Sequence, residues 1–538
     1  MNNLLEIKNL YVEGHYEGQW QPIVRDISLN LKRGEVLGLI GESGAGKSTI
    51  GLAAMGYTRQ GCRLVSGSIK LDGLELFNAS NEDLRAVRGS SIAYVAQSAA
   101  ASFNPSHKVI HQYAESPVQH GLMDYAEAET EAVKIYRRLF LPKPEKIGYR
   151  YPHELSGGQL QRAMVAMAMS CKPDIIVFDE PTTALDVTTQ VEVLAAVKEI
   201  TEKMDKAALY ITHDLAVVAQ VAHRIMVLRN GRLVEEGETR RLIKKPKKKY
   251  TRELLSVRTM RKEKSITQKM DVILDVSDVS ASYTGNEKVL ENIDLVIRRG
   301  LTVALVGESG SGKSTLARVI TGLLPAVEGR ISFLGEDLPL ELKNRKKESL
   351  RRLQMIYQMP DTALNPRQTV RKVIGRPLEF YFGIKGKALE ERIRELLLQI
   401  ELDPEIYINR LTTELSGGEK QRVCIARALA AEPDLIICDE ITSALDQLVA
   451  EDILTLLQNL QNKNNISYLF ITHDLATVKS IADKIVIMLE GRIIDQGDKK
   501  EVLSPPFHEY TDKLLASIPE MDPDWLDNLL DERASIFF

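Results

Sequence analysis

The chain has 538 residues, more than one hydrophobic core usually serves, so at least two domains are expected. Its 44% hydrophobic and 27% charged residues are those of an ordinary globular protein, and 70 basic against 74 acidic side chains leave a net charge of -4, too small a field to draw nucleic acid or anionic lipid. No apolar run approaches the ~18 residues of a membrane span, the first residues lack a signal-peptide pattern, and Cys62, Cys171, Cys424 and Cys438 have no ligand-like spacing, so the expectation is a cytosolic chain that reaches a membrane only through other subunits.

In chain order, Glu35 to Ile40 reads as a strand running into Gly41-Glu42-Ser43-Gly44-Ala45-Gly46-Lys47-Ser48-Thr49 and then a helix, the context a P-loop requires. Its glycines let successive N–H groups turn around phosphate oxygens at the positive end of a helix. Gly41, Ser43, Gly44, Gly46, Lys47, Ser48 and Thr49 are the candidate nucleotide ligands, with Lys47 reaching the β- and γ-phosphates and the Ser48 hydroxyl a magnesium ion. Leu155-Ser156-Gly157-Gly158-Gln159 precedes a helical pattern from Leu160 to Ser170. It is a second anion-binding helix start, one that the loop's own nucleotide does not require. An apolar strand, Asp174 to Phe178, ends in Asp179-Glu180. Asp179 can hold the magnesium shell, and Glu180 can polarise a water in line with the γ-phosphate as a general base. Another strand, Ala208 to Ile211, leads to Thr212-His213-Asp214.

From Lys244 to about Lys269 the chain is rich in Lys and Arg, and Val272-Ile273-Leu274-Asp275-Val276 then begins a new strand pattern. The basic runs Lys244–Lys249 and Arg261–Lys264 read as a solvated boundary segment. The boundary is expected near residue 268, giving domains 1–268 and 269–538. Beyond it every motif returns. Gly307-Glu308-Ser309-Gly310-Ser311-Gly312-Lys313-Ser314-Thr315 repeats the loop, 307 against 41, after the strand Leu301 to Val306. Leu415-Ser416-Gly417-Gly418-Glu419, then Lys420 to Ala430, Asp434 to Cys438, Asp439-Glu440, Tyr468 to Ile471 and His473 follow in the same order. Four motifs kept in order mean two copies of one domain, and strands alternating with longer helices predict an α/β fold with a mainly parallel sheet in each copy.

The Leu-Ser-Gly-Gly segments resemble the signature sequence of ABC ATPases, a family resemblance that covers nearly the whole chain. It implies two tandem P-loop NTPase domains, each with a helical subdomain carrying the signature, and an intramolecular pairing in which the signature of one half closes over the nucleotide of the other. It also implies residue roles. Gln97 and Gln358 match the glutamine that senses magnesium and faces membrane subunits. Asp186 and Asp446, in Ala184-Leu185-Asp186 and Ala444-Leu445-Asp446, match the loop crossing between halves. His213 and His473 match the switch histidine that contacts the γ-phosphate, and Tyr283 matches the aromatic that stacks on adenine. In the first half Tyr16, 25 residues before Gly41, has a similar place, with His15 or Tyr11 as alternatives. Two departures stand out, Glu419 where the first half has Gln159 and Ile441 where it has Pro181. Neither removes a phosphate ligand or base, so both ATP sites are expected to work, with a difference in rate possible because a carboxylate changes local charge.

Similar tails follow each core, Ile243-Lys244-Lys245-Pro246 with Lys249-Tyr250-Thr251-Arg252-Glu253-Leu254-Leu255, and Leu503-Ser504-Pro505-Pro506 with His508-Glu509-Tyr510-Thr511-Asp512-Lys513-Leu514-Leu515. These tails, with Asn104-Pro105 and Asn365-Pro366, resemble ATPases that power oligopeptide, dipeptide and nickel importers. The resemblance implies ATP and Mg2+ as cofactors, a pair of membrane permeases, an external solute-binding protein, and a peripheral place on the cytoplasmic side of the inner membrane. No iron–sulfur cluster is expected, because no cysteine follows Cys438, and no nucleic-acid partner is expected. The alternative is a soluble tandem ABC protein acting on ribosomes, which usually has a long charged arm between its halves. DNA-repair relatives are disfavoured by the absence of zinc-finger cysteines and coiled-coil insertions. Export through other permeases stays open, as does the cargo: peptide, metal chelate, opine-like or sugar-like.

Overall fold

The computed structural model describes residues 3–16, 18–183, 185–256, 270–283, 285, 287–443 and 445–536. Ala184 and Ala444 of the expected crossing loops, the Arg261–Lys264 run and the boundary near residue 268 lie outside them. The chain forms two compact units, Met1–Val257 with Pro519–Phe538, and Arg258–Ile518. The last segment thus groups with the first unit although it follows the second half in the chain.

Among the described residues the first unit has ten strands: β1 (Leu5–Tyr16), β2 (Gln19–Leu31), β3 (Val36–Gly41), β4 (Cys62–Leu71), β5 (Leu74–Glu75), β6 (Ile92–Val95), β7 (Ile175–Asp179), β8 (Ala207–Ile211), β9 (Arg224–Arg229) and β10 (Arg232–Glu238). They make an antiparallel sheet in the order β2-β1-β4-β5 and a mainly parallel one in the order β10-β9-β3-β8-β7-β6. Strands β3, β7 and β8 are buried along their whole length, as expected of parallel strands covered on both faces. That is why they read as continuous apolar runs. The two sheets close on one core, in which Leu5, Leu10, Ile27 and Leu31 pack with Leu37, Leu39 and Ile50.

The second unit repeats this plan with β11 (Val272–Ala281), β12 (Leu290–Arg298), β13 (Thr302–Val306), β14 (Glu328–Phe333), β15 (Glu336–Asp337), β16 (Leu353–Ile356), β17 (Leu435–Asp439), β18 (Ser467–Ile471), β19 (Lys484–Leu489) and β20 (Arg492–Asp498). Their orders, β12-β11-β14-β15 and β16-β17-β18-β13-β19-β20, match the first unit strand for strand. The helices Val370–Pro377, Gly386–Gln399 and Gly417–Leu429 form the helical subdomain, with Val373, Ile374, Ile393, Leu397 and Val423 in its core. No helix among the described residues is long and apolar enough to cross a membrane.

Register decides where the site falls. Leu39 on β3 and Asp179 on β7 both pair with Ile211 on β8, so three neighbouring parallel strands end at one level. In the second unit Leu305 and Asp439 pair in the same way with Ile471. The P-loop, the Asp-Glu pair and the histidine leave from these carboxyl ends, which is where open α/β sheets hold ligands.

Candidate functional site

Each P-loop joins its strand to a helix, Lys47–Ala53 or Lys313–Thr321. Gly44 and Gly46 have φ of 79° and 89° and Gly310 and Gly312 of 85° and 100°, a left-handed backbone open to glycine at little cost. A Cβ on Gly41 would stand 2.1 Å from the carbonyl oxygen of Leu228, so the loop passes directly against β9. Lys47, only 5% exposed, donates to the carbonyls of Gly41 at 2.7 Å and Glu42 at 2.9 Å. Lys313 donates to Gly307 at 2.9 Å and Glu308 at 2.7 Å. Both ammonium groups are therefore held at the mouths of their loops.

The Ser48 hydroxyl donates to Asp179 at 2.8 Å, and Ser314 to Asp439 at 2.9 Å. Hydroxyl and carboxylate oxygens side by side are hard donors that fit a small divalent cation. Glu180 and Glu440 both have φ near +50°, at 50° and 48°, strained for a non-glycine residue and tolerated because the surroundings fix them. Glu180 accepts from Gln97 at 2.9 Å and Thr183 at 3.1 Å, with His213 Nδ1 at 3.4 Å. Glu440 accepts from Gln358 at 2.7 Å, with His473 Nδ1 at 3.4 Å. Burial alone would raise both carboxyls. The facing histidine and the P-loop lysine outweigh it and hold them below the ordinary carboxylate range. Burial likewise opposes the charge on His213 and His473, yet the paired glutamate raises both. The result in each half is an ionised glutamate clamped between a glutamine and a histidine, beside a cationic loop.

The two signature segments cap their helices identically. Gln159 N–H donates to Ser156 Oγ at 3.3 Å, and Glu419 N–H to Ser416 Oγ at 3.4 Å, each within a reciprocal capping box. Gly158 and Gly418 are obligatory for packing, since a Cβ would lie 2.0 Å from Thr189 Cγ2 and 2.6 Å from Val449 Cγ1. Asp186 and Asp446 cap the helices Val187–Lys198 and Gln447–Asn464. Tyr283 reaches the second loop, its hydroxyl 3.2 Å from Thr315 Oγ1. Tyr16 is 55% exposed, and no hydrogen bond or ring contact joins it to the first loop among the described residues.

Three kinds of residue were missed by sequence reasoning. Tyr94 donates to the second carboxylate oxygen of Asp179; its counterpart on β16, Met355, has no donor, so the repeat does not reveal it. Tyr407 donates to Glu419 at 2.5 Å, and Tyr250 and Tyr510 touch the P-loops from the tails. The tail tyrosines did recur at one offset, 510 against 250, which was the available signal.

The family model described as ABC transporter matches residues 24–183 and 290–443. The chain belongs to the ABC transporter ATP-binding family. A second model, the oligopeptide/dipeptide transporter C-terminal region, matches residues 494–535. The chain is 38% identical to the glutathione import ATP-binding protein GsiA of Salmonella choleraesuis (strain SC-B67), over 97% of this chain and 90% of that one. It is 37% identical to the ABC transporter ATP-binding protein YejF of Escherichia coli (strain K12), over 95% and 99%. Among solved structures, the complex of archaeal ribosomal stalk protein aP1 with ribosome recycling factor aABCE1 matches with a TM-score of 0.62 over 91% of this chain and 90% of that one. At 21% identity it shows a shared fold alone. As a member of the ABC family the chain binds nucleotide and is an ATPase coupled to transport.

Proposed function

We propose that this chain is the ATP-hydrolysing motor of an importer for peptides or similar small solutes, acting with two permeases and an external solute-binding protein at the cytoplasmic face of the inner membrane. The observation that carries this reading is the oligopeptide-type C-terminal region behind two ABC transporter domains. The glutathione import named for the relatives supports a small peptide-like cargo.

In this reading ATP lies on each P-loop, with Lys47 or Lys313 at its outer phosphates. Two ATP molecules bridge the P-loop of one half and the signature of the other, Ser156 to Gln159 or Ser416 to Glu419, favouring a closed pair. Magnesium, when bound by Ser48 and Asp179 or by Ser314 and Asp439, supplies positive charge to the phosphate oxygens. Glu180 and Glu440 are ionised and accept from the glutamine and histidine, so each is poised to take a proton from the attacking water. His213 and His473 exchange the glutamate for the γ-phosphate when ATP arrives. Loss of that phosphate removes the bridge and lets the halves part, an ordered-to-open switch, and permease helices at Gln97 and Gln358 convert it into alternating access.

Exchanging both bases, Glu180→Gln with Glu440→Gln, should abolish steady-state hydrolysis while ATP stays bound. Affinity capture of that variant with ATP from gently solubilised cells should bring down two polytopic permeases in comparable amounts. Unchanged hydrolysis would remove the glutamates from the base role, and ribosomal proteins without a permease would overturn the importer reading.

A further inference from the structure

The two C-terminal extensions take no part in the chemistry above, yet each sends a tyrosine to the loop of its own half. In the first, Tyr250 on the helix Lys249–Ser256 is 5% exposed, and its hydroxyl accepts from the amide of Glu42 at 3.3 Å. In the second, Tyr510 on the helix Glu509–Ala516 is 7% exposed, and its hydroxyl accepts from the amide of Glu308 at 3.1 Å. The bonds span 208 and 202 residues. The contact occurs once in each unit, between a tail tyrosine and a loop glutamate amide that recur together in the duplication.

The amide in question belongs to a particular peptide unit. Gly41 C=O and Glu42 N–H share one plane, and that same Gly41 carbonyl accepts the Lys47 ammonium at 2.7 Å. In the second half the Gly307 carbonyl accepts Lys313 at 2.9 Å. Because N–H and C=O point in opposite directions across a planar peptide, holding the N–H fixes the line along which the carbonyl receives the lysine. The tyrosines are themselves held. The Arg229 guanidinium lies 4.6 Å over the ring of Tyr250 and 3.9 Å from the Glu42 carboxylate. The Glu235 carboxylate accepts the amides of Lys247 and Lys248 at 2.8 and 3.0 Å, just before the tail helix. In the second half the matching carboxylate, Asp495, accepts the Thr511 hydroxyl at 2.9 Å, and Lys513 stands 3.9 Å from the Glu308 carboxylate.

We propose that Tyr250 and Tyr510 are positioning residues, each fixing through the Gly41–Glu42 or Gly307–Glu308 peptide the lysine that receives the outer phosphates of ATP. Each extension is thereby a working part of its own ATP site. This rests on Lys47 and Lys313 being phosphate ligands, which Lys47→Ala and Lys313→Ala test separately through loss of ATP binding.

Tyr250→Phe and Tyr510→Phe, made singly in the full chain, keep the ring and delete the acceptor. Without nucleotide, amide exchange in the loop of the altered half should quicken about fivefold, the effect of one hydrogen bond, while the tail helix keeps its protection. Affinity for a non-hydrolysable ATP analogue should fall two- to tenfold and KM for ATP should rise in step, with kcat within about twofold. Unchanged loop exchange would overturn the proposal, as would exchange rising equally along the tail helix, which marks a merely structural role. So would faster loop exchange with unaltered ATP affinity.

Discussion

The C-terminal segment Pro519–Phe538 groups with the first unit, where the buried Gln220 side chain bonds it, and Gln220→Leu tests what those bonds contribute. Gln220 is 2% exposed. Its amide nitrogen donates to the carbonyls of Glu520 at 2.7 Å and Asp522 at 3.1 Å, as well as to Ala216 at 3.0 Å, and its oxygen accepts from Leu526 N–H at 3.2 Å. Leu526 is fully buried beside it. Leucine keeps the volume but leaves the Leu526 N–H and at least one carbonyl without a partner. Each such group costs about 1–3 kcal/mol, so docking should weaken by about 2–6 kcal/mol, a shift of roughly 30- to 20,000-fold in the undocked population at about 1.4 kcal/mol per tenfold. Local opening of this kind is read by amide exchange, and the amides of Asp524 to Leu529 in the full chain should exchange faster by that factor. The rim gives the contrast. Arg240 and Asp524 make a fork at 2.8 Å and a second, shorter bond, but with side chains about half exposed, at 51% and 49%, water and salt screen the pair. Arg240→Ala should therefore change the same rates by less than about threefold. Rates within threefold of wild type for Gln220→Leu, or a larger effect for Arg240→Ala, would refute the reasoning.

Tyr94 orients the Asp179 carboxylate, and removing such a support typically costs about 10-fold or more in metal affinity, so Tyr94→Phe should raise the magnesium concentration for half-maximal ATP binding. Met355→Phe, at the matching position in the second half, should not, and equal magnesium titrations for the two variants would exclude the role. Glu235 yields a pH prediction: burial tends to raise its carboxyl, but the Lys247 and Lys248 amides hold it below the ordinary value of 4.5. Its stabilising contribution is therefore complete above about pH 4.5 and lost as pH falls through the lower folded value. The melting temperature of Glu235→Gln should trail wild type most at neutral pH and converge with it in acid; a constant gap would contradict this.

Much of the site was legible because phosphate chemistry permits few solutions. A lysine, a serine and a run of backbone N–H groups must follow a strand, and the Asp-Glu pair and histidine must leave neighbouring strand ends at the same level. Those constraints fix residue types at short spacing, and the repeat displays them twice. Strands β3, β7 and β8 were equally plain, because full burial on both faces writes a continuous apolar run. What could not be read was any partnership set by tertiary approach. Nothing local to Tyr250 names Glu42 as its target, and Tyr94 lacks even the repeat, since Met355 replaces it. Nor does the sequence around Pro519–Phe538 say that its carbonyls will meet Gln220, because a capping contact across some 300 residues leaves no periodic mark.

The duplication also separates what the chemistry requires from what tunes it. The lysine on its loop carbonyls, the serine on the aspartate, and the glutamate between glutamine and histidine are the same in both halves. The differences form a ring around this set. Asp179 has a tyrosine donor and Asp439 has none among the described residues, and burial together with the neighbouring Glu440 carboxylate holds Asp439 above its ordinary range. The second signature carries Glu419, with burial raising its carboxyl but Tyr407 and Ser416 holding it below the usual range, so it is an added negative charge at a helix start where Gln159 has none. A carboxylate there offsets part of the helix-end field that would otherwise attract a phosphate. In the proposed reading, substitutions that alter charge beside this shared set change how tightly each site holds its ligands and leave the bond-breaking step to the same residues. The two halves are therefore expected to run one reaction at unequal affinity, with the difference lodged in Tyr94, Tyr407 and Glu419 rather than in the glutamates and histidines.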